Sequence, residues 1–442
     1  MGAVIRQLSG SRLADSRIAI IVSGTGLLLG MILGAAAPNV ETSTVALPLS
    51  HLLPSLGNRG YLPVLILYAG DALACAGLAG LLWAYSQGWT PDPRRLLLAS
   101  SAVVAVMVNL APVGSSDVGS YAAYGDIAAH GGNPYLATPR SWGDAAYLHV
   151  VGGSWTSRPS VYGPVATALQ AFAARIGGQN VSLTVWVLML INGAAFIGTG
   201  YVLLKTSDDP VRATLCWTAN PVLLQQLVGG GHVDTLVAGT AICAVQASRR
   251  AWGARGDVLT GVLLGLACGI KINGALIALG LGWALLHDRE VLRAARVALA
   301  AAVTLAAEYS FYASSALKPL AGAATQVTLP SPWRLVQIAL DAAGVPDGTV
   351  TDIIKYSWPI AMLVVAWYIR RQISDEQPLA VVAPFALAFA WVLTAPWVLA
   401  WYTALAWVVI TQIPRNRMTR WLTIVTIVLA LWLSNGGHGG PT

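Results

Sequence analysis

Long apolar runs separated by short polar connections make up most of this chain. A membrane-spanning helix needs about 20 mostly apolar residues. Segments of this kind recur along the chain: 18–37, 62–86, 96–114, 181–204, 210–228, 232–248, 294–313, 353–370, 379–395, 397–413 and 420–434. The stretch 257–286 is interrupted by Lys271 and Asn273 and is interpreted as two short helices that meet at a polar break. The pattern predicts an all-α polytopic membrane protein, one transmembrane domain over 1–442 with about thirteen segments, some of them short or broken.

The basic residues between these runs predict the orientation of the chain. Cytoplasmic connections carry an excess of Lys and Arg. With the N-terminus inside, all basic clusters lie on one side: Arg94 and Arg95, Lys205 and Arg212, Arg249 to Arg255, Arg289 and Arg293, Arg370 and Arg371, and Arg415 to Arg420. We therefore predict a multi-pass plasma-membrane protein with a cytoplasmic N-terminus and two long extracytoplasmic loops, 115–180 and 314–352.

The composition leaves little room for other classes of protein. Charged residues make up only 10% of the chain, against about 25% in soluble globular proteins. The net charge of +7 is explained by the orienting clusters, so no nucleic-acid partner is predicted. The four cysteines lie in apolar segments without a CxxC pair, which gives no disulfide framework and no zinc site. A Walker A motif is missing, so the chain shows no nucleotide-phosphate loop.

The first outer loop is rich in tyrosine and tryptophan, which settle at the headgroup level of a membrane. Two short amphipathic helices are predicted there, at about 118–130 and 164–176, lying along the outer membrane surface. A second aromatic group, Pro396-Trp397 and Trp401-Tyr402, is interpreted as an aromatic belt.

The most informative segment of this loop begins at Ser115-Ser116-Asp117. If a helix starts there, Asp117, Tyr121 and Tyr124 share one face, because residues at i, i+4 and i+7 do. An acid with two phenols can hold a sugar hydroxyl and remove its proton. The alternative is that Asp117 is a helix N-cap, a position that Asp favours. Both roles are compatible.

The same loop ends with Arg158 and the turn Tyr162-Gly163-Pro164. A cation beside a rigid turn can meet a lipid phosphate. Alternatively, Arg158 extends to a headgroup as an amphipathic side chain.

Polar residues interrupt the apolar pattern at two further places. Gly229-Gly230-Gly231 precedes His232 and Asp234, and glycines let the backbone approach a ligand closely. The alternative is a flexible hairpin capped by Asp234.

Lys271 is an ionisable residue within a membrane segment, and such a residue indicates a functional site by default. The alternative is a lysine that snorkels from a short helix end. One His and one Asp are too few ligands for a metal site. No cofactor is predicted, and a divalent metal is left open.

The run DVGSYAAYG…HGGNPY, then VYGP, NPVLLQQLVGGGHVD and LACGIKINGA, resembles the polyprenol-phosphomannose-dependent α-1,6-mannosyltransferases of the actinobacterial cell envelope. These belong to the C-type glycosyltransferase superfamily (GT-C). The resemblance covers roughly residues 100–410, with the motifs in the expected order and on the expected side of the membrane.

The resemblance implies a glycosyltransferase that moves a sugar, with mannose expected, from a polyprenyl-phosphate carrier to a glycan or glycolipid such as a lipoglycan. It also implies transfer with inversion at the outer face of the bilayer. It implies Asp117 as the catalytic base. His232 and Lys271, with Arg158 or Arg334, would hold the phosphate. The other predicted substrate-binding residues are Tyr121, Tyr124, Tyr162 and Asp234.

Two other interpretations stay open. Broken helices and intramembrane charge also suit a transporter or flippase of polyprenyl-linked sugars or other solutes. The large aromatic outer loop and the lack of recognisable inverted repeats favour the enzyme. The third is a non-catalytic homologue that binds lipid-linked sugar.

Overall fold

A computed structural model describes residues 2–50, 52–57, 59–250, 252–323 and 326–432, and the regular structure of these residues is entirely helical. The predicted all-α class is confirmed. The α-helices of the first half are α1 (Gly2–Ala36), α2 (Tyr61–Ser86), α3 (Pro93–Met107), α4 (Asp117–Ala129), α5 (Pro139–Trp142), α6 (Ala145–Leu148), α7 (Pro164–Gly177), α8 (Val181–Thr206), α9 (Pro210–Cys216) and α10 (Pro221–Leu223). Those of the second half are α11 (Asp234–Ser248), α12 (Gly253–Ile270), α13 (Ala275–His287), α14 (Val291–Tyr309), α15 (Lys318–Ala323), α16 (Pro332–Ala342), α17 (Asp347–Arg371), α18 (Leu379–Thr394), α19 (Ala404–Ile410) and α20 (Arg417–Trp432).

Irregular helical segments join several of these elements. The segment Leu224–Gly229 is π-helical, and 3₁₀ turns occupy Gly153–Ser157, Ile272–Gly274, Ala313–Leu317 and Ala400–Thr403. Three of these segments lie next to predicted site residues: the turn before Arg158, the π-helix and the turn after Ile270.

Five helices among the described residues are long and apolar enough to cross a membrane: Asp15–Ala36 within α1, α2, α8, α12 and α17. The pair Pro221–Gly229 and Asp234–Ser248, bent by 117°, adds a sixth if it is counted as one broken span. The predicted count of about thirteen is not confirmed. On α17 the large apolar side chains Ile360, Leu363 and Val364 are exposed, as expected for a helix surrounded by lipid.

Glycines bring the helices into close contact. A Cβ on Gly26 of α1 would lie 2.8 Å from the carbonyl oxygen of Gly70 of α2. A Cβ on Gly125 of α4 would lie 2.3 Å from the carbonyl oxygen of Gln170 of α7. Membrane helices associate largely through such small residues, because lipid supplies no hydrophobic drive between them. The second contact fixes α7 against α4, the helix that begins at Asp117.

At the centre of the molecule lies α19, whose residues are all buried. A helix that is apolar on every side is enclosed by other helices. The Trp407 indole also finds a partner, since its Nε1–H donates to the Thr426 hydroxyl at 2.9 Å. This buried helix provides a fixed support for the segment just before it, which carries Trp401 and Tyr402.

Two predicted spans are wrong in their continuity. The predicted segment 210–228 is split, because α9 ends at Cys216 and the chain restarts at Pro221. The Asn220 side chain accepts from the N–H groups of Val222 and Leu223 and so caps the new helix. The predicted segment 397–413 becomes helical only at Ala400.

The interfacial helices of the outer loop are found at the predicted positions, as α4 and α7. However, the prediction that α4 is amphipathic and lies on the membrane surface is wrong, because Val118 through Ile127 are all buried. By contrast, α7 keeps a mixed surface, with Phe172 and Ile176 exposed. The protein therefore encloses the helix that carries Asp117.

Cysteine labelling tests the predicted orientation. Arg140 of the outer loop and Arg255 at the start of α12 are both exposed. We expect Arg140→Cys to react with a membrane-impermeant maleimide in intact cells and Arg255→Cys to react only after permeabilisation. Of the natural cysteines, Cys75, Cys216 and Cys268 are buried and Cys243 is partly exposed, so the unsubstituted protein is labelled in parallel as the background. Labelling of position 140 only from the inner face would contradict both the topology and the outer site.

Candidate active site

The acid and the first phenol of the outer loop meet as the helical spacing predicts. The Tyr121 hydroxyl lies 3.5 Å from Asp117 Oδ2, one turn along α4. Tyr124, a further turn on, donates instead to the Arg158 carbonyl oxygen at 3.0 Å. The Tyr162 ring packs edge-on against Tyr121, with 4.8 Å between the ring centroids. Tyr121 and Tyr162 thus lie beside the carboxylate, and Tyr124 is directed to the end of the outer loop.

The N-cap interpretation of Asp117 is wrong. Asp117 is the first residue of α4, and the cap position belongs to Ser116, whose side chain makes no capping bond. The backbone N–H of Asp117 donates to the Ser115 hydroxyl at 3.2 Å. The Asp117 side chain remains 25% exposed, so the carboxylate is accessible to a substrate.

The glycine turn brings His232 against this carboxylate. Gly231 has φ +69, which favours glycine, and a Cβ there would lie 2.8 Å from Met189 Sδ. The turn carries His232 Nδ1 to 3.4 Å from Asp117 Oδ2. The imidazole is only 1% exposed and stacks on Trp401 with 3.7 Å between the centroids. This buried arrangement excludes the alternative of a flexible hairpin.

Lys271 forms a buried ion pair. The helix α12 ends at Ile270, and Lys271 takes an extended conformation with φ −154 and ψ 139. Its ammonium group lies 2.9 Å from both carboxylate oxygens of Asp234 and 4.1 Å from the centre of the Tyr402 ring. Lys271 is 13% exposed and Asp234 3%. The snorkelling alternative is wrong, because the ammonium group is held inside the protein.

The end of the outer loop rests on the end of α12. The Gly163 N–H donates to the Ile270 carbonyl oxygen at 3.0 Å. A Cβ on Gly163 would lie 2.1 Å from the Gly269 carbonyl oxygen. This contact sets Tyr162 directly beside the lysine that follows α12.

The two predicted arginines, Arg158 and Arg334, make their contacts away from Asp117 and Lys271. The Arg158 guanidinium lies 5.5 Å from the centre of the Trp155 ring. Arg334, on α16, donates to the Gln337 side chain at 2.8 Å. Neither arginine lines the cavity described next.

Asp117 and Lys271 line one cavity of about 540 Å³. The other lining residues are mostly aromatic or apolar and come from five parts of the chain: Trp155, Val161, Tyr162, Ile272, Asn273, Leu320, Gln326, Trp358, Trp391, Ala395, Pro396, Trp397, Leu399, Trp401 and Tyr402. Binding sites for small molecules are typically apolar clefts of 300–1,000 Å³ with a few placed polar groups. The cavity has the size and lining of such a site.

Sequence reasoning missed the contribution of 391–402 to this cavity. The rings of Trp391 and Tyr402 stack with 5.0 Å between their centroids. The aromatic-belt interpretation of Trp397, Trp401 and Tyr402 is wrong, because these side chains face the cavity. The signal that could have found them is the density of aromatic residues directly after Pro396, where the chain leaves α18.

The electrostatic surroundings keep Asp117 ionised. Burial disfavours the charged carboxylate, but His232, the Lys271 ammonium group and the Ser115 hydroxyl outweigh this effect, so the pKa of Asp117 lies below its usual value. Burial and the Asp117 charge raise the pKa of Tyr121 well above its usual value. Asp117 is therefore a proton acceptor at neutral pH, and the phenol of Tyr121 is a donor.

No cluster of three or more His, Cys, Asp or Glu side chains that could hold a metal ion occurs within the described part of the chain.

Comparison with known proteins identifies the family. Residues 21–287 match the family described as alpha-(1->6)-mannopyranosyltransferase, N-terminal domain. The chain belongs to this mannosyltransferase family. The matched region contains Asp117, His232, Asp234 and Lys271 but ends before Trp391.

The curated relatives are actinobacterial and distant. The chain is 24% identical over 302 residues to alpha-(1->6)-mannopyranosyltransferase B of Corynebacterium glutamicum. The aligned region covers 63% of this chain and 48% of the relative. It is 27% identical over 264 residues to a probable alpha-(1->6)-mannopyranosyltransferase of Mycolicibacterium smegmatis, covering 56% and 45%. These matches span about half the length of each relative. No solved structure matches the chain significantly.

Proposed function

We propose that this protein transfers mannose from a polyprenyl-phosphate carrier to a hydroxyl of a glycan or glycolipid at the outer face of the plasma membrane. The observation that carries the proposal is the cavity in which an accessible carboxylate, Asp117, and a cation, Lys271, face the same space. Membership of the mannosyltransferase family supports the sugar. The apolar lining supports a lipid-linked donor, and the few polar groups of the cavity suit a single sugar phosphate.

Asp117 acts as the general base in this proposal. The acceptor hydroxyl gives its proton to the carboxylate as its oxygen attacks the anomeric carbon, which a positioned carboxylate accelerates by about 10²–10⁴-fold. The bond from the anomeric carbon to the phosphate oxygen breaks on the opposite face, and its electron pair leaves with the phosphate. Attack and departure on opposite faces give inversion.

Lys271 stabilises the departing phosphate. Fixed cations in a water-poor site are effective where negative charge develops, because they need no reorganisation during the reaction. Asp234 then acts through Lys271, since it holds the ammonium group with both carboxylate oxygens. The contributions of Arg158 and Arg334 to phosphate binding stay predictions.

The aromatic side chains place the sugars. Tyr162 lines the cavity, where its hydroxyl group can bond to sugar oxygens, and Tyr121 holds Asp117 from the side. Direct contact of Tyr121 with a sugar stays a prediction. Trp391, Trp397 and Trp401 supply flat apolar faces in the cavity. A pyranose ring presents C–H groups on one face, so it packs against such surfaces while its hydroxyl groups bond at the edge. Tyr124, which bonds to the Arg158 carbonyl, fixes the loop that carries Tyr162.

The test is a transfer assay with the purified protein in detergent or nanodiscs. Incubation with polyprenyl-phospho-mannose and a short mannoside is expected to yield an acceptor with one added hexose, detected by mass spectrometry. Vesicles loaded with the same donor test the rival function. Movement of the donor across the bilayer without any extension of the acceptor would contradict the proposal and favour a transporter.

A further inference from the structure

Packing against neighbouring residues fixes the orientation of the His232 ring. Neither ring nitrogen has a hydrogen-bond partner among the described residues. A Cβ on Gly230 would lie 2.7 Å from Nε2, so this nitrogen faces the glycine turn. Trp401 covers one face of the ring. These contacts leave Nδ1 directed towards Asp117.

The two oxygens of Asp117 have different surroundings. Oδ2 receives the close contacts, 3.4 Å from His232 Nδ1 and 3.5 Å from the Tyr121 hydroxyl. No hydrogen bond from the described part of the chain reaches Oδ1. The carboxylate is thus held through one oxygen, and the other is free for an acceptor hydroxyl.

We propose that His232 is a positioning residue for Asp117, holding Oδ2 through Nδ1–H so that Oδ1 meets the acceptor hydroxyl. This inference rests on the transfer reaction proposed above. It replaces the predicted role of His232 in binding the donor phosphate, because the ring does not line the cavity. In the reaction the acceptor proton moves to Oδ1, and the proton on His232 Nδ1 stays in place.

The pH dependence of the reaction distinguishes this role from a purely structural one. The titratable groups around Asp117 are Tyr121 and Tyr124 on α4, Tyr162 on the outer loop, His232 on the glycine turn, the Lys271–Asp234 pair and Tyr402. The uncharged Ser115 hydroxyl also contacts it. After burial, His232 has the largest influence on the pKa of Asp117, and it lowers that pKa. Removing the ring therefore raises the pKa. As the pH falls, the carboxylate is then protonated at a higher pH than in the wild type. The acid limb of the kcat/KM profile therefore shifts to higher pH.

Three substitutions separate the two nitrogens of the ring. In His232→Asn the amide nitrogen takes the position of Nδ1, in His232→Gln it reaches the position of Nε2, and His232→Phe keeps the ring stacking but has no donor. We expect the Phe and Gln variants to lose about 100-fold in kcat, the scale of misplaced catalytic groups, with the acid limb at higher pH. The Asn variant is expected to stay within about tenfold of wild type, with its acid limb close to that of wild type.

The control is His287→Phe, at a residue that is 60% exposed at the end of α13, with an expected profile like that of wild type. If His232→Phe fails to fold, the comparison of the Asn and Gln variants decides alone. A raised donor KM with an unmoved acid limb in the Phe and Gln variants would overturn the inference and favour phosphate binding. Failure of the wild-type protein to transfer mannose, or full activity of Asp117→Asn, would instead overturn the proposed function.

Discussion

Asp117→Asn is expected to reduce mannose transfer by at least about 100-fold, because the amide cannot accept the proton of the acceptor hydroxyl. The substitution keeps the size of the side chain. The carboxylate caps no helix in the structure, so no backbone N–H loses a partner. We therefore expect the thermal unfolding midpoint to stay close to that of wild type. The measurements are the mass-spectrometric transfer assay and thermal unfolding in the same detergent.

The matched control for this variant is Asp341→Asn. Asp341 is exposed on α16, in the second predicted outer loop, and its substitution is expected to leave turnover unchanged. Turnover near the wild-type level in Asp117→Asn would exclude Asp117 as the base. The cavity would then need another proton acceptor.

Lys271→Met is expected to have two separate effects, one on the free energy of unfolding and one on the binding and use of the donor. The substitution leaves Asp234 buried and unpaired. Removing one partner of a buried pair costs about 3–5 kcal/mol of unfolding free energy. It also removes the only ammonium group that lines the cavity among the described residues. We expect donor affinity and turnover to fall by more than about tenfold, or roughly 1.4 kcal/mol.

The double variant Lys271→Met/Asp234→Asn separates these effects. Replacing both partners removes the unpaired charge, and such replacements are often nearly neutral for stability. We expect the double variant to recover most of the lost stability but not the donor affinity. The control is Lys318→Met, at an exposed residue of the second predicted outer loop. Donor affinity and turnover within about threefold of wild type, a shift under roughly 0.7 kcal/mol, would mean that the phosphate is bound elsewhere, with Arg158 and Arg334 the next candidates.

The parts of the site that sequence predicts are those set by local spacing. The helical period alone places Asp117 and Tyr121 on one face, and their contact is observed. Similarly, Lys271 and Asn273 interrupt an apolar run, which is sufficient to predict that α12 stops there.

The parts that sequence did not predict depend on packing between distant segments. Nothing in the sequence near Lys271 indicates that Asp234 neutralises it. Asp234 lies 37 residues earlier, at the start of the second helix of the bent span, and only the fold brings the two side chains together. Likewise, Trp401 and Tyr402 have the composition of an interfacial belt. Only the position of the buried α19 behind them directs their side chains towards Asp117 and Lys271.

The contact between Gly163 and Gly269 has a consequence for how this family diverges. A side chain on Gly163 would meet the Gly269 backbone, and a Cβ on Gly269 would lie 1.9 Å from Glu308 Oε2. Gly163 cannot enlarge unless the outer loop moves away from the α12 backbone, and that movement would widen the gap between Asp117 and Lys271. A larger residue at Gly269 would instead displace the Glu308 side chain. We therefore expect position 163 to stay glycine in relatives that keep this spacing, and changes at position 269 to be accompanied by changes at position 308.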